Sequence, residues 1–268
     1  MAIIALHSAA SGLQALSTQL DVISNNLANA NNNGFKSSRV NFEDLIYQYQ
    51  QVPGTKDELG DTRPTGIAVG LGTRVAGTQL DMAQGAPITT GRQLDVCIEG
   101  DGMFQMKVLP SQGNGLAYTR TGSFFINDQG NLVLDSQNGY MLDPQIKVPA
   151  NTTDLSITTD GRVMATVAGT NTQQQVGQIQ LAHFTNPQGL LQIGGNMYQQ
   201  TDASGPPTLV DPGQPGAGTL LQGAIEASNV DPVTQLVDLI KTQRTFELNS
   251  QSIQAADQML QTVANLRH

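Results

Sequence analysis

Tryptophan is absent from this chain, cysteine occurs once and histidine three times in 268 residues. The lone Cys97 excludes an internal disulfide, so no covalent staple holds the fold. His7, His183 and His268 fall in unrelated segments, with no metal-ligand spacing to one another or to Cys97, so no metal site and no cofactor is expected. Charged residues make up only 13%, the net charge is −9, and no cluster of Lys or Arg occurs. That balance argues against nucleic acid and anionic membrane surfaces as partners. No stretch approaches the roughly 18 to 20 apolar residues of a membrane span, so no direct membrane insertion is expected. The opening Met1-Ala2-Ile3-Ile4-Ala5-Leu6 lacks the charged head and longer core of a cleavable signal. The expectation is a protein that stays in the cytoplasm or leaves by a route that spares its N-terminus. Aromatic residues contribute 4%, which offers few anchors for a sticky outer surface.

Against that sparse background, Leu6, Ala9, Leu13, Leu16, Leu20, Ile23 and Leu27 alternate at three and four residues without a miss. The spacing predicts a heptad seam on a long helix. Its other faces are Ser, Thr, Gln, Asn and Ala, including Asn25 and Asn26, and Asp21 and His7 are the only titratable side chains before Lys36. Near the other end, Leu239, Phe246, Ile253 and Leu260 recur every seven residues, with Ala256 and Val263 on intervening positions. Asp231-Pro232 supplies that helix with a capping acid and a proline in its first turn. An amphipathic helix is most often the covering layer of its own core. Three features favour more than that here: strict 3.5 periodicity, outer faces nearly without charge, and a matching helix at the far end. Such terminal helices pair across whatever lies between them and keep faces for neighbours, which suits a subunit of an assembly. The helix-core interface expected is Leu6, Leu13, Leu16, Leu20, Ile23, Asn25, Asn26, Leu27, Leu239, Phe246, Ile253, Leu260 and Val263.

The length leaves room for two units. An Asn-rich run over Asn29–Gly34 predicts the end of the first helix. Residues 35–50 carry Phe42, Leu45, Ile46 and Tyr49 at a spacing that fits a short helix or an extended arm. From Val52 to Gly77 repeated Gly and Pro exclude helix and predict strand and loop. Short period-2 runs then follow at Leu94–Ile98, Gly102–Val108, Tyr118–Ile126, Leu132–Leu134, Leu155–Ile157, Arg162–Val167 and Gln178–Phe184, with an Asp-Gly hairpin turn at Asp160-Gly161. Gly205–Gly218 reads as a surface loop. The expected fold is α+β: paired N- and C-terminal α-helices, coiled-coil-like, bracket an inserted, mainly antiparallel all-β domain with an extended arm. The expected division is a discontinuous helical domain at 1–30 and 232–268, an arm at 31–76 and a β domain at 77–231.

No constellation supports catalysis. Cys97 sits between Val96 and Ile98 with no positive neighbour to lower its pKa, which marks a structural thiol. Asp95, Glu99 and Asp101 lack the distal Glu of a calcium loop, and Gly70-Leu71-Gly72 lacks the Lys-Ser/Thr that grips a phosphate. The expectation is a protein that is not an enzyme.

The run Asp21-Val22-Ile23-Ser24-Asn25-Asn26-Leu27-Ala28-Asn29, leading to Asn33-Gly34-Phe35-Lys36, resembles the signature of bacterial flagellar rod and hook proteins. Later segments agree in order: Gly100-Asp101-Gly102-Met103-Phe104, Tyr118-Thr119-Arg120-Thr121-Gly122-Ser123-Phe124, Ser228-Asn229-Val230, and Gln243-Arg244-Thr245-Phe246-Glu247. Length, the segment Phe42–Gln48 and the extended stretch up to Thr73 look most like the distal-rod members; a proximal rod member is the nearest alternative, and a helical-stalk adhesin a more distant one. The resemblance implies export through the flagellar type III apparatus without cleavage, then helical homopolymerisation into a rigid hollow shaft that transmits motor torque across the periplasm. Its implied partners are further copies, proximal rod proteins, hook or hook-junction subunits and the surrounding ring proteins that act as a bushing. Residues of about 46 to 70, with Phe42, Leu45, Ile46, Tyr47 and Tyr49, would then tie successive subunits together.

Overall fold

The computed structural model describes residues 2–54, 64–109, 115–169 and 172–265, which divide into two units. Two helices and a mostly antiparallel β region make the fold α+β, as expected.

The first unit comprises Met1–Ala28, Ser38–Leu80 and Asp231–His268. Helix α1 spans Ala2–Ala28 and helix α2 spans Pro232–Asn265. The start of α2 is set by Asp231, whose Oδ1 accepts the Val233 N–H at 3.1 Å and whose Oδ2 accepts the Thr234 hydroxyl at 2.6 Å. Those bonds, the Thr234 hydroxyl foremost, hold the Asp231 carboxyl below its ordinary pKa. Two contacts set an antiparallel register: Asn26 Nδ2 donates to Gln235 Oε1 at 3.3 Å, and a Cβ on Gly12 would lie 3.2 Å from Asn249 Nδ2.

Residues 38–51, open at sequence level between helix and extended arm, are extended. Strand Ser38–Asp44 pairs antiparallel with Thr73–Leu80, and Tyr47–Gln51 with Ile67–Gly70. Bonds from Leu45 N to Gly72 O at 2.9 Å and from Leu71 N to Ile46 O at 3.2 Å carry the ladder across the joint, so the two pairs form one ribbon. It lies on the small side chains of α1. Ser8 Oγ donates to Gly70 O at 3.2 Å, Ser11 Oγ accepts from Thr73 N at 3.2 Å, and Gly72, at φ +117°, leaves no room for a Cβ beside Ser11. The part of the expected arm that falls on 55–63 lies outside the described residues.

The second unit comprises Asn29–Ser37 and Asp81–Val230. Among the described residues its largest sheet has nine strands; Leu191–Gly194, Met197–Gln199, Leu116–Thr119, Met103–Lys107, Met141–Leu142, Leu132–Leu134 and Phe124–Ile126 run in that order across it. Leu181–His183 branches from Met103–Lys107 and pairs with Thr208–Val210. A three-stranded meander, Thr152–Ile157, Arg162–Val167 and Gln173–Gln178, packs on the same core, whose centre includes Phe104, Met106, Leu142, Val163, Ile179 and Leu181. The Asp160-Gly161 turn closes the first hairpin, with Gly161 at φ +83° and its N–H bonded to Thr158 O at 2.9 Å.

Three sequence readings need correction. Tyr118–Ile126 is two strands: Ala117, Tyr118, Thr119 and Arg120 are buried in succession, covered on both faces, and Gly122 then turns the chain so close to Val96 that a Cβ would overlap its carbonyl. Gln178–Phe184 likewise breaks where Ile179 and Gln180 carry the chain from the meander to the larger sheet. The loop expected over Gly205–Gly218 contains the short edge strand Thr208–Val210, just after Pro206 and Pro207, where a missing N–H is tolerated.

Candidate assembly interface

In the helical unit the α1 seam is engaged within the chain. Leu6, Leu13, Leu16, Leu20 and Leu27 are half-buried and Ile23 is buried. On α2 the answering seam runs Gln235, Leu239, Thr242, Phe246, Asn249, Ile253 and Ala256, again at three and four residues, and none of these is exposed. Hydropathy spacing marks Leu239, Phe246 and Ile253 but not Gln235, Thr242 and Asn249, because polar side chains carry no hydropathy signal. Leu260 is exposed: continuing the register set by Asn26 and Gln235 carries it past the N-terminal end of α1 at Ala2. The Val263 side chain lies outside those described.

The two asparagines differ. Asn25 is exposed, whereas Asn26, 2% exposed, clamps the chain as it returns: its Nδ2 donates to Ser38 O at 2.7 Å and its Oδ1 accepts from Ser38 N at 3.0 Å.

The opposite side of α2 was not singled out from the sequence. Val233, Leu236, Val237, Ile240, Leu248 and Met259 are all exposed, Val233 at 69% and Leu248 at 63%. At about 100° per residue they centre roughly opposite the seam that meets α1. The spacing of Val233, Leu236, Val237 and Ile240 was the available signal. The outward stripe of α1 is different in kind: Ala10, Gln14, Ser17, Asp21 and Ser24 are small or polar. The ribbon offers a second apolar surface, with Phe42, Ile46, Tyr47 and Tyr49 exposed and Leu45 half-buried.

In the β unit a buried ion cluster joins distant parts of the chain. Lys36 Nζ donates to Glu226 Oε1 and to Ala83 O, both at 2.6 Å, with both charged side chains fully buried. Glu226 Oε1 also accepts from Gly85 N at 2.8 Å, and its Oε2 faces Arg120 Nε at 3.4 Å. Arg120 Nη1 donates to Gly100 O at 2.8 Å and Gly102 O at 2.9 Å. Desolvation lowers the Lys36 pKa, opposed by Glu226. Beside this cluster Asn229 accepts from Ser37 N and donates to Asp81 O, each at 2.8 Å. Ser37, Asp81 and Asn229 stand at or beside points where the chain enters or leaves the unit.

Cys97 is buried and burial pushes its thiol up to about 11. Among the described residues no group of His, Cys, Asp and Glu could hold a metal ion, and no helix is long and apolar enough to cross a membrane.

Three family models match the chain in order: "Flagella basal body rod protein" over residues 6–36, "Flagellar hook protein FlgE/F/G D1 domain" over 97–165, and "Flagellar basal body rod FlgEFG protein C-terminal" over 221–266. The flagellar basal-body rod protein FlgG of Caulobacter vibrioides is 45% identical, covering 98% of this chain and 99% of that protein. Its counterpart in Buchnera aphidicola subsp. Schizaphis graminum is 44% identical over 95% of this chain and 96% of its own, and that of Borreliella burgdorferi 42% over 98% of both. With the terminal helices, the β unit between them and these full-length likenesses in place, the chain belongs to the flagellar basal-body rod protein family.

Proposed function

We propose that the chain is a structural subunit of the distal rod of the flagellar basal body, polymerising helically into a rigid hollow shaft that transmits motor torque to the hook. The observation that carries this reading is the second apolar face of α2. The first is met by α1 within the same chain; the second, from Val233 to Met259, is open on a helix whose partner presents only small and polar groups outward. An apolar stripe of that length in water calls for cover. Identical copies are the economical source, because each brings the same face.

The exposed aromatic ribbon around Phe42, Ile46, Tyr47 and Tyr49 supports the distal-rod assignment: it supplies a second contact between successive subunits and so stiffens the shaft. Under this reading the chain is exported through the flagellar type III apparatus, acts in the rod across the periplasm, and meets proximal rod proteins, hook or hook-junction subunits and the ring proteins around the shaft. It requires no catalytic group, cofactor or nucleic acid. Sedimentation of the purified chain at rising concentration tests it. Open-ended growth in mass is expected; saturation at a small defined oligomer would instead favour a helical-stalk binding module.

A further inference from the structure

The β unit closes on its own last residues. Strand Val96–Glu99 pairs with Thr219–Gln222, placing Cys97 opposite Leu221, and Pro87–Thr89 pairs with Ala224–Glu226. The loop Asn29–Ser37 joins the same place, since Gly34 N donates to Glu226 O at 2.8 Å. Two cations wait there. Lys36 is fully buried and Arg120 is 4% exposed, and among the described residues the one acid within ion-pair reach of either is Glu226, which stands 190 positions after Lys36. Without Glu226, the acceptors left among the described residues are the Ala83 carbonyl for Lys36 and the carbonyls of Gly100 and Gly102 for Arg120. Neutral acceptors do not compensate an ammonium and a guanidinium charge taken out of water.

We propose that Glu226 is a completion switch for the β unit: the sheet cannot dehydrate around Lys36 and Arg120 until Glu226 has docked between them, so the unit stays open until nearly all of its sequence is present. The first two strands of the unit make the same demand, because Pro87–Thr89 and Val96–Glu99 find their strand partners at 219–226. The consequence for export rests on the rod reading: a chain delivered unfolded would not collapse before residue 226 arrives. The switch itself is a property of folding.

Cys97 supplies the readout. It is the only thiol, it is buried, and its strand is covered by Thr219–Gln222. The full chain is refolded from denaturant at a concentration too low for assembly, and N-ethylmaleimide pulses report when Cys97 becomes protected. Glu226→Gln is expected to slow protection by at least about tenfold. Val163→Ala, a core truncation in the meander at a fully buried position, is expected to leave the protection rate within about twofold and act mainly on unfolding. If Glu226→Gln never protects Cys97, the triple variant Lys36→Met, Arg120→Met, Glu226→Met decides. Protection restored to near the wild-type rate supports a charge switch; failure of the triple variant too overturns it. Protection of Glu226→Gln at the wild-type rate, with faster unfolding alone, also overturns it. None of these outcomes depends on whether the chain polymerises.

Discussion

Replacing Ile240 and Leu248 together by glutamate is expected to abolish assembly while leaving the pairing of α1 with α2 intact. Both side chains lie on the open face of α2, 56% and 63% exposed, and neither belongs to the seam that meets α1. In the isolated chain the substitutions exchange exposed apolar groups for solvated charges, with little effect on stability. In a polymer each copy forfeits the burial of two aliphatic side chains, about 1.5 to 3 kcal/mol apiece, before any cost of desolvating the carboxylates is counted. That shifts the concentration needed for assembly by at least about a hundredfold. Sedimentation measures the shift, and far-ultraviolet circular dichroism checks that the helices persist. Assembly of the double variant at the wild-type concentration would show that the interface lies elsewhere.

Replacing Lys36 by methionine is expected to destabilise the β unit by about 3 to 5 kcal/mol, the range for removing one member of a buried ion pair. The cost arises less from a lost attraction than from what is left behind. Glu226 remains fully buried, with Gly85 N as its hydrogen-bond donor and Arg120 at 3.4 Å as its only ion-pair partner among the described residues. Denaturant unfolding of wild type and variant measures the difference. A loss under about 1 kcal/mol would mean that the cluster tolerates Lys36 as a neutral group, and that its burial does not hold the unit closed. The effect belongs to the β unit, so helix content at the chain ends is expected to survive it.

How much of this was legible depends on the kind of side chain involved. The α1 seam is written in Leu and Ile at a period no strand shares, and it reads directly. The α2 seam passes through Thr242, which is 4% exposed, and through Asn249 beside Gly12, so hydropathy finds only every second contact. The inward-turned Asn26 and outward Asn25 are adjacent and identical, and only the return of the chain at Ser38 distinguishes them. Strand breaks near Arg120 and Ile179 were hidden because strands covered on both faces lose their alternation.

The ion cluster was the least legible feature, since lysine and glutamate read as surface residues. Two faint signals existed. Lys36 is the first charged residue after Asp21, and Glu226 falls on the same parity as the buried Leu220 and Ala224. A charge on the inward parity of a strand is worth a search for its partner. The partner here lies 190 positions away, a separation no local pattern reports.

Electron microscopy of the purified chain at rising concentration, beside a variant lacking residues 1–30, tests the helix-core account most directly. Without α1 the Gln235 to Ala256 seam is uncovered and α2 has no partner within its own chain, so the subunit cannot present its outer apolar face in a fixed orientation. Filaments of uniform diameter from the full chain and none from the truncated one are expected. Filaments from the truncated chain would contradict the account.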